Sequence, residues 1–203
     1  MRIIDNDSTI KRKINAAIAK QADSYLKKAK SRIRSRIVSI TRFAILESDA
    51  IGELSNGSLK ADFGLTQDPS MDIANAVANS VRLGIRPIVA TGDRISGGVS
   101  LYIQPRTYSN LLSLSSAYQA IEDGGSLPWL SWLLLEGDQI LVANYGVKYK
   151  AGTGRSGRAT MQKNATPFRV DPEYSGTIDN NFITKALQKF SPQITDAITS
   201  ELR

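Results

Sequence analysis

Apolar and small residues recur at Ile10, Ile14, Ile18, Ala22, Tyr25, Ala29, Ile33, Ile37, Ile40 and Ala44. The steps are threes and fours, the repeat of an α-helix, so one long amphipathic helix is predicted over this stretch. Ser8 or Thr9 can cap its start, and neither Pro nor Gly interrupts the chain before Gly52. The mean step exceeds the value of about 3.5 residues that a left-handed two-stranded zipper needs. The helix is therefore expected to lie along its own domain or along a neighbouring copy.

Beyond Ile51 the pattern shortens. A loop is predicted over Gly52 to Pro69, where Asn56-Gly57 and Asp68-Pro69 are turn pairs, with Leu59, Phe63 and Leu65 anchoring it to the core. A helix from about Ser70 to Arg82 would place Ile73, Val77 and Val81 on one face. Leu83 to Pro105 reads as a β-hairpin. Its strands are Ile85 to Ala90 and the alternating stretch around Val99, Leu101 and Ile103, with glycine-rich Thr91 to Gly98 as the turn. A further helix is expected over Ser109 to Glu122, carrying Leu111, Leu114, Tyr118 and Ile121.

Ser126 to Gly137 is the most apolar stretch, with Ser126 as N-cap, Pro128 near the first turn and Gly137 as a stop. A short helix apolar nearly all round needs cover on more than one side. For Trp129 and Trp132 the favoured reading is an interior helix. The other is contact with a second subunit, because tryptophan is enriched at interfaces. Gln139 to Lys150 alternates as a strand, and Ala151 to Pro167, with Arg155, Arg158 and Lys163, is polar and rich in glycine. That segment is expected to be a flexible loop that orders on contact with a neighbouring protein, where Arg155 and Arg158 would make inter-subunit contacts. Phe168 to Val170 is a candidate short strand. Thr177 would cap a helix through Phe190 that buries Ile178, Phe182, Ile183 and Leu187. Ser191-Pro192 opens a last helix carrying Ile194, Ile198 and Leu202. The whole pattern predicts an α+β fold, a long N-terminal amphipathic helix plus a small antiparallel β-sheet packed with helices. Residues 1–50 read as a basic helical arm and 51–203 as the core domain, with the flexible loop at 151–167.

Charge sharpens this division. The 203 residues carry a formal +7, but residues 1–42 hold twelve bases against three acids, a net of +9, and the remainder is at −2. Lys27, Lys28, Lys30, Arg32, Arg34 and Arg36 are the candidates for a surface facing DNA or an acidic partner. The competing reading is a solvated face opposite the packing stripe. Only Tyr25 and Phe43 interleave with these bases, so nucleic-acid contact would be to phosphates and blind to sequence. No apolar run approaches the roughly 18 to 20 residues of a membrane span. Met1 to Asp7 lacks the apolar core of a signal peptide, so synthesis in the cytoplasm is the default expectation.

The chain has neither Cys nor His. That removes thiolate nucleophiles, disulfides, Ser/His/Asp and Cys/His arrangements and most zinc sites. Gly152, Gly154 and Gly157 spell GxGxxG after a predicted strand, yet the helix that should follow is missing and Pro167 stops the segment, so no cofactor is expected. The neighbouring acids Glu122/Asp123 and Glu136/Asp138 sit beside glycines at expected helix ends and read as solvated turn residues. An enzyme is not expected.

LPWLSWLLLEGD (Leu127 to Asp138), the strand after it, GRSGRATM (Gly154 to Met161) and PFRVDPEYSGTIDNNFITKAL (Pro167 to Leu187) follow one another in the C-terminal half. LSNGSLKADFGLTQDP (Leu54 to Pro69) precedes them and resembles the pattern L..G.L...GL.DP. Together these pieces resemble the virion structural proteins of tailed bacteriophages, within them the neck and tail-completion proteins. The resemblance implies a small α+β subunit in a homo-oligomeric ring around the DNA path at the head–tail junction of the virion. Its partners would be copies of itself and neighbouring portal, adaptor or tail-tube proteins, with non-specific contact to packaged DNA and none to a membrane. Adaptor, tail terminator and tail-completion factor are the alternatives for its layer. The resemblance brings no catalytic residues and no cofactor. A protein that binds nucleic acid without regard to sequence, through the basic N-terminal helix, is the alternative function.

Overall fold

The computed structural model describes residues 6–120, 125–136, 145–149, 159–163, 171 and 173–202. Helix α1, Asp7–Leu46, runs unbroken for 40 residues, a rod about 60 Å long. Asn6 caps it in place of Ser8 or Thr9, its side chain accepting the Thr9 N–H at 2.9 Å. The continuous helix read from Ile10 to Ala44 is present, but its apolar stripe is used unevenly. Ala29, Ile33, Ile37 and Ala44 are buried, whereas Ile14, Ile18 and Tyr25 are 51%, 50% and 44% exposed.

The segment expected as a loop after Ile51 is instead two short helices, α2 (Asp49–Asn56) and α3 (Ser58–Asp62). Ala50, Ile51 and Leu54 share a buried face that rewards helix formation. The pair Asn56-Gly57 marks only the joint between helices. Across that joint the Glu53 carboxylate accepts the Ser58 N–H at 2.6 Å and its hydroxyl at 2.8 Å. Helix α4, Ser70–Asn79, starts where predicted and buries Ile73 and Val77, but it ends before Val81, and Arg82 already belongs to the strand that follows.

Strands β1 (Arg82–Thr91) and β2 (Arg94–Tyr102) form the expected antiparallel hairpin. Its turn is shorter than predicted, only Gly92 and Asp93, with Gly92 at φ 62° in the position a type II′ turn reserves for glycine. The other two glycines assigned to the turn, Gly97 and Gly98, lie instead at a bulge. The register steps from Arg86 opposite Gly98 to Val89 opposite Ser96. Gly97, at φ 133°, lies so near Pro87 that a Cβ there would sit 2.5 Å from the Pro87 carbonyl oxygen.

The helix expected over Ser109 to Glu122 is one turn, α5 (Ser109–Leu112), then a 3₁₀ turn over Ser115–Ala117 and a short strand β3 (Gln119–Ala120) paired with β4 (Ser126–Leu127). Three serines within Ser113 to Ser116 weaken the helix by competing for its backbone. The freed Ser116 carbonyl accepts the Trp129 indole N–H at 3.0 Å. Helix α6, Trp129–Leu135, is the predicted tryptophan helix. Strands β5 (Tyr145–Tyr149) and β6 (Ala159–Lys163) pair antiparallel. Strand β6 therefore replaces part of the loop expected over 151–167, because an extended segment such as β5 needs a partner for its backbone groups. The rest of that loop, with Arg155, Arg158 and the GxGxxG motif, and the candidate strand Phe168 to Val170 lie outside the described residues.

Helix α7 (Phe182–Lys189) starts later than predicted, since Asn181 caps it and not Thr177. Thr177 and Asn180 close a tight turn through mutual backbone bonds of 2.9 and 3.1 Å, which leaves Ile178 41% exposed, not buried. Helix α8, Ser191–Thr199, is the expected last helix and ends in a 3₁₀ turn, Ser200–Leu202.

The fold is α+β, with its described strands in antiparallel pairs. One buried cluster joins Ile45, Leu54, Phe63, Ile73, Leu111 and Trp129 with neighbours from α6 and α7. A second joins Ala29, Ile33 and Ile37 of α1 to Val81, Leu83, Ile194 and Ala197. Residue 50 is thus not a packing boundary, for the C-terminal half of α1 belongs to both cores.

Candidate partner-binding face on helix α1

The six bases singled out from the sequence divide by position. Glu201, carried back by the C-terminal 3₁₀ turn, accepts Arg32 Nε at 2.9 Å and Arg36 Nη1 at 3.3 Å, while Arg36 also reaches the Ser200 hydroxyl at 2.9 Å. The hydrogen bond from Arg32 is the main cause holding the Glu201 carboxyl below its ordinary range, and the same bond raises the Arg32 guanidinium. Arg34 Nε donates to the Val81 carbonyl at 3.2 Å, where α4 hands over to β1. Lys27 pairs with Asp23 at 2.6 Å. Among the described residues Lys28 and Lys30 have no ion-pair partner, and both are exposed.

Asp23 ties the hairpin to the helix. The bulge releases the Ile88 N–H from the strand ladder, and the Asp23 carboxylate accepts it at 3.0 Å. Its hydrogen bond from Lys27, then that from Ile88, holds Asp23 below the ordinary aspartate range. Ala19 and Leu26 are buried and lie four and three residues from Asp23, so they belong to this same hairpin side.

A second face of the N-terminal half stays uncovered. Lys11, Ile14, Ile18, Gln21, Tyr25 and Lys28 follow one another by threes and fours and are all exposed. The sequence places the three apolar members on the packing stripe. A step of four overshoots one helical turn, however, by about 40°. Read back from Ala29 towards the N-terminus, the stripe therefore swings off the side on which Ala19 and Leu26 are buried. Steps of four also run from Tyr25 to Ile37, where the stripe is buried from Ala29 on, so spacing alone does not mark which half of the helix is covered.

At the other end of α1 lies a cleft of about 290 Å³, floored by Ala44, Ala50, Phe182 and Ala186. Glu47, Asp49 and Glu173 stand on its rim with Tyr174, while Lys185 and Lys189 line the α7 side. Glu53 adjoins the same rim. Partial burial, then the carboxylates of Glu173, Glu53, Asp171 and Asp49, raise the Tyr174 hydroxyl above its ordinary value. Sequence reasoning missed this acidic site because its members come from α1, α2 and the approach to α7.

Trp129 is fully buried and Trp132 is 7% exposed. Their rings lie 5.7 and 6.4 Å from that of Phe63, centroid to centroid. The subunit contact weighed for them gives way to interior packing, because α3 and the 3₁₀ turn supply the cover. Of the paired acids, Glu136 is exposed and bridges to Thr177, while Glu122, Asp123 and Asp138 lie outside the described residues. Asp68, Ser55 and Ser70 form a compact polar group. Burial would raise the Asp68 carboxyl, but hydrogen bonds from Ser70 and Ser55 outweigh it and hold the group low, as suits a cap on α4. Among the described residues no grouping of acids has the spacing to hold a metal ion.

Comparison with protein-family models, curated proteins and solved structures gives no match. Fold and surface define the class reached here: an α+β chain built on one long helix that presents an uncovered, cation-flanked apolar face. Among the described residues no helix is long and apolar enough to cross a membrane.

Proposed function

We propose that this chain is a structural, partner-binding subunit of a tailed-phage virion, without a catalytic role, placed at the head–tail junction. Copies would assemble into a ring around the DNA path and join neighbouring portal, adaptor or tail-tube proteins. The observation that carries this reading is the N-terminal half of α1. Ile14, Ile18 and Tyr25 are about half exposed on a helix that, among the described residues, meets the body on its hairpin side. Exposed apolar residues gathered on one face mark interaction surfaces. The segment resemblances set out above favour a ring in a virion over other assemblies. The net +9 over residues 1–42, with Lys28 and Lys30 unpaired among the described residues, suits a position near packaged DNA.

Class averages of the purified chain by electron microscopy test the reading. Closed rings are the expected result. A monomer that coats duplex DNA with steep salt dependence would instead establish sequence-independent nucleic-acid binding through α1.

A further inference from the structure

We propose that copies of this chain join head to tail, the Ile14–Ile18–Tyr25 face of one α1 docking in the acidic cleft at the far end of α1 on the next copy. This inference deepens the ring reading and rests on it for the presence of a second copy.

Three observations carry it. The first is the uncovered face itself, three apolar side chains with Lys11 at one end and Lys28 at the other. The second is the cleft, whose floor of Ala44, Ala50, Phe182 and Ala186 is apolar and whose rim carries Glu47, Asp49 and Glu173. Lys185 and Lys189 offset part of that charge, while Glu53 and Asp171 add to it near Tyr174. Apolar centre meets apolar floor, and cations meet carboxylates, the match that steers docking and fixes register. The third is geometry. Ile18 lies within α1 and Glu47 caps its C-terminus, 29 residues apart in number, or about 44 Å along the helix axis. An unbroken helix cannot fold back to bring this face to the cleft of its own chain, so the face can meet such a cleft only on another copy.

Two different surfaces that complement each other make a heterologous contact. Such a contact propagates from copy to copy and closes into a ring when the rotation allows. Symmetric pairing of the helix faces is disfavoured, because it would bring the cations of both copies together.

The test uses full-length variants altered only at exposed positions, each checked for an unchanged far-UV dichroism spectrum. The donor variant carries Ile14→Asp and Ile18→Asp; the acceptor variant carries Glu47→Lys and Glu173→Lys. Each alone should be monomeric by sedimentation velocity. Mixed in equal amounts they should form a one-to-one dimer that grows no further, because the one intact donor and the one intact cleft are used in that contact and only the altered surfaces stay free. As a second measurement, Lys11→Glu with Lys28→Glu should weaken self-association at least about tenfold, and adding Glu47→Lys with Glu173→Lys to the same chain should restore it. Wild-type assembly that survives both variants overturns this interface while leaving the ring reading intact. A mixture that stays monomeric while wild type assembles does the same. A wild-type chain that is monomeric at every concentration, including one that binds duplex DNA through this face, overturns both.

Discussion

Asn181 is a buried polar residue whose position decides where α7 begins. Its side-chain oxygen accepts the N–H groups of Ile183 and Thr184, both at 3.1 Å, and the Thr184 hydroxyl accepts its own N–H at 2.9 Å. Its Nδ2 shares two hydrogens among the Tyr108 hydroxyl at 2.8 Å, the Thr177 carbonyl at 2.9 Å and the Leu134 carbonyl at 3.2 Å. Tyr108 passes the chain on, donating to the Ile178 carbonyl at 3.1 Å. Burial is the main cause raising that phenol above its ordinary value, so it stays a donor at neutral pH. Asn181→Ala removes a cap and orphans several buried groups, and we expect a loss of about 2–3 kcal/mol in urea unfolding. Tyr108→Phe should cost about 1–2 kcal/mol, with the double variant less destabilised than the sum. Read from the sequence, the cap falls at Thr177 and not at Asn181. What chooses between them is a hydroxyl 73 residues away, which no local pattern reports.

The same limit governs whole elements. Long periodic segments could be read because many residues repeat one demand, and α1, α4, the hairpin and α8 were legible for that reason. Glycine serves two ends with one composition, so Gly97-Gly98 looked like a turn and is a bulge. Gly97→Ala would force a Cβ into the Pro87 backbone at a positive φ, and we expect about 2 kcal/mol of destabilisation by thermal unfolding. The bulge also exposes a titratable tie. Because the Asp23 pKa is lowered on folding, its contribution is complete above the unfolded aspartate value of 3.8 and is lost as pH falls through the folded value. Glu201 behaves likewise toward Arg32. Acidification from pH 5 to about pH 3 should therefore lower the protection factor, the intrinsic exchange rate at each pH divided by the observed one, at Ile88 and its hairpin neighbours, and Asp23→Asn should flatten that pH dependence. A protection factor at Ile88 that ignores pH would show that the tie holds nothing.

On the scale of the molecule, the charge of α1 is not one surface. Net charge was legible in the sequence, but its allocation was not, since Glu201 reaches Arg32 across 169 positions and the acidic rim collects residues from three regions. What remains for a partner is the N-terminal half of the rod. The tryptophan helix, by contrast, is used up inside. Trp129→Ala should cost about 3–5 kcal/mol, by the same amount in the assembly-deficient Ile14→Asp, Ile18→Asp chain as in wild type. Sedimentation velocity of the wild-type chain from low to high salt examines the partner face most directly. We expect one discrete oligomer at low salt that dissociates to folded monomers as salt screens the cation–carboxylate contacts. A monomer at every salt and protein concentration would mean that Ile14, Ile18 and Tyr25 form no interface between copies.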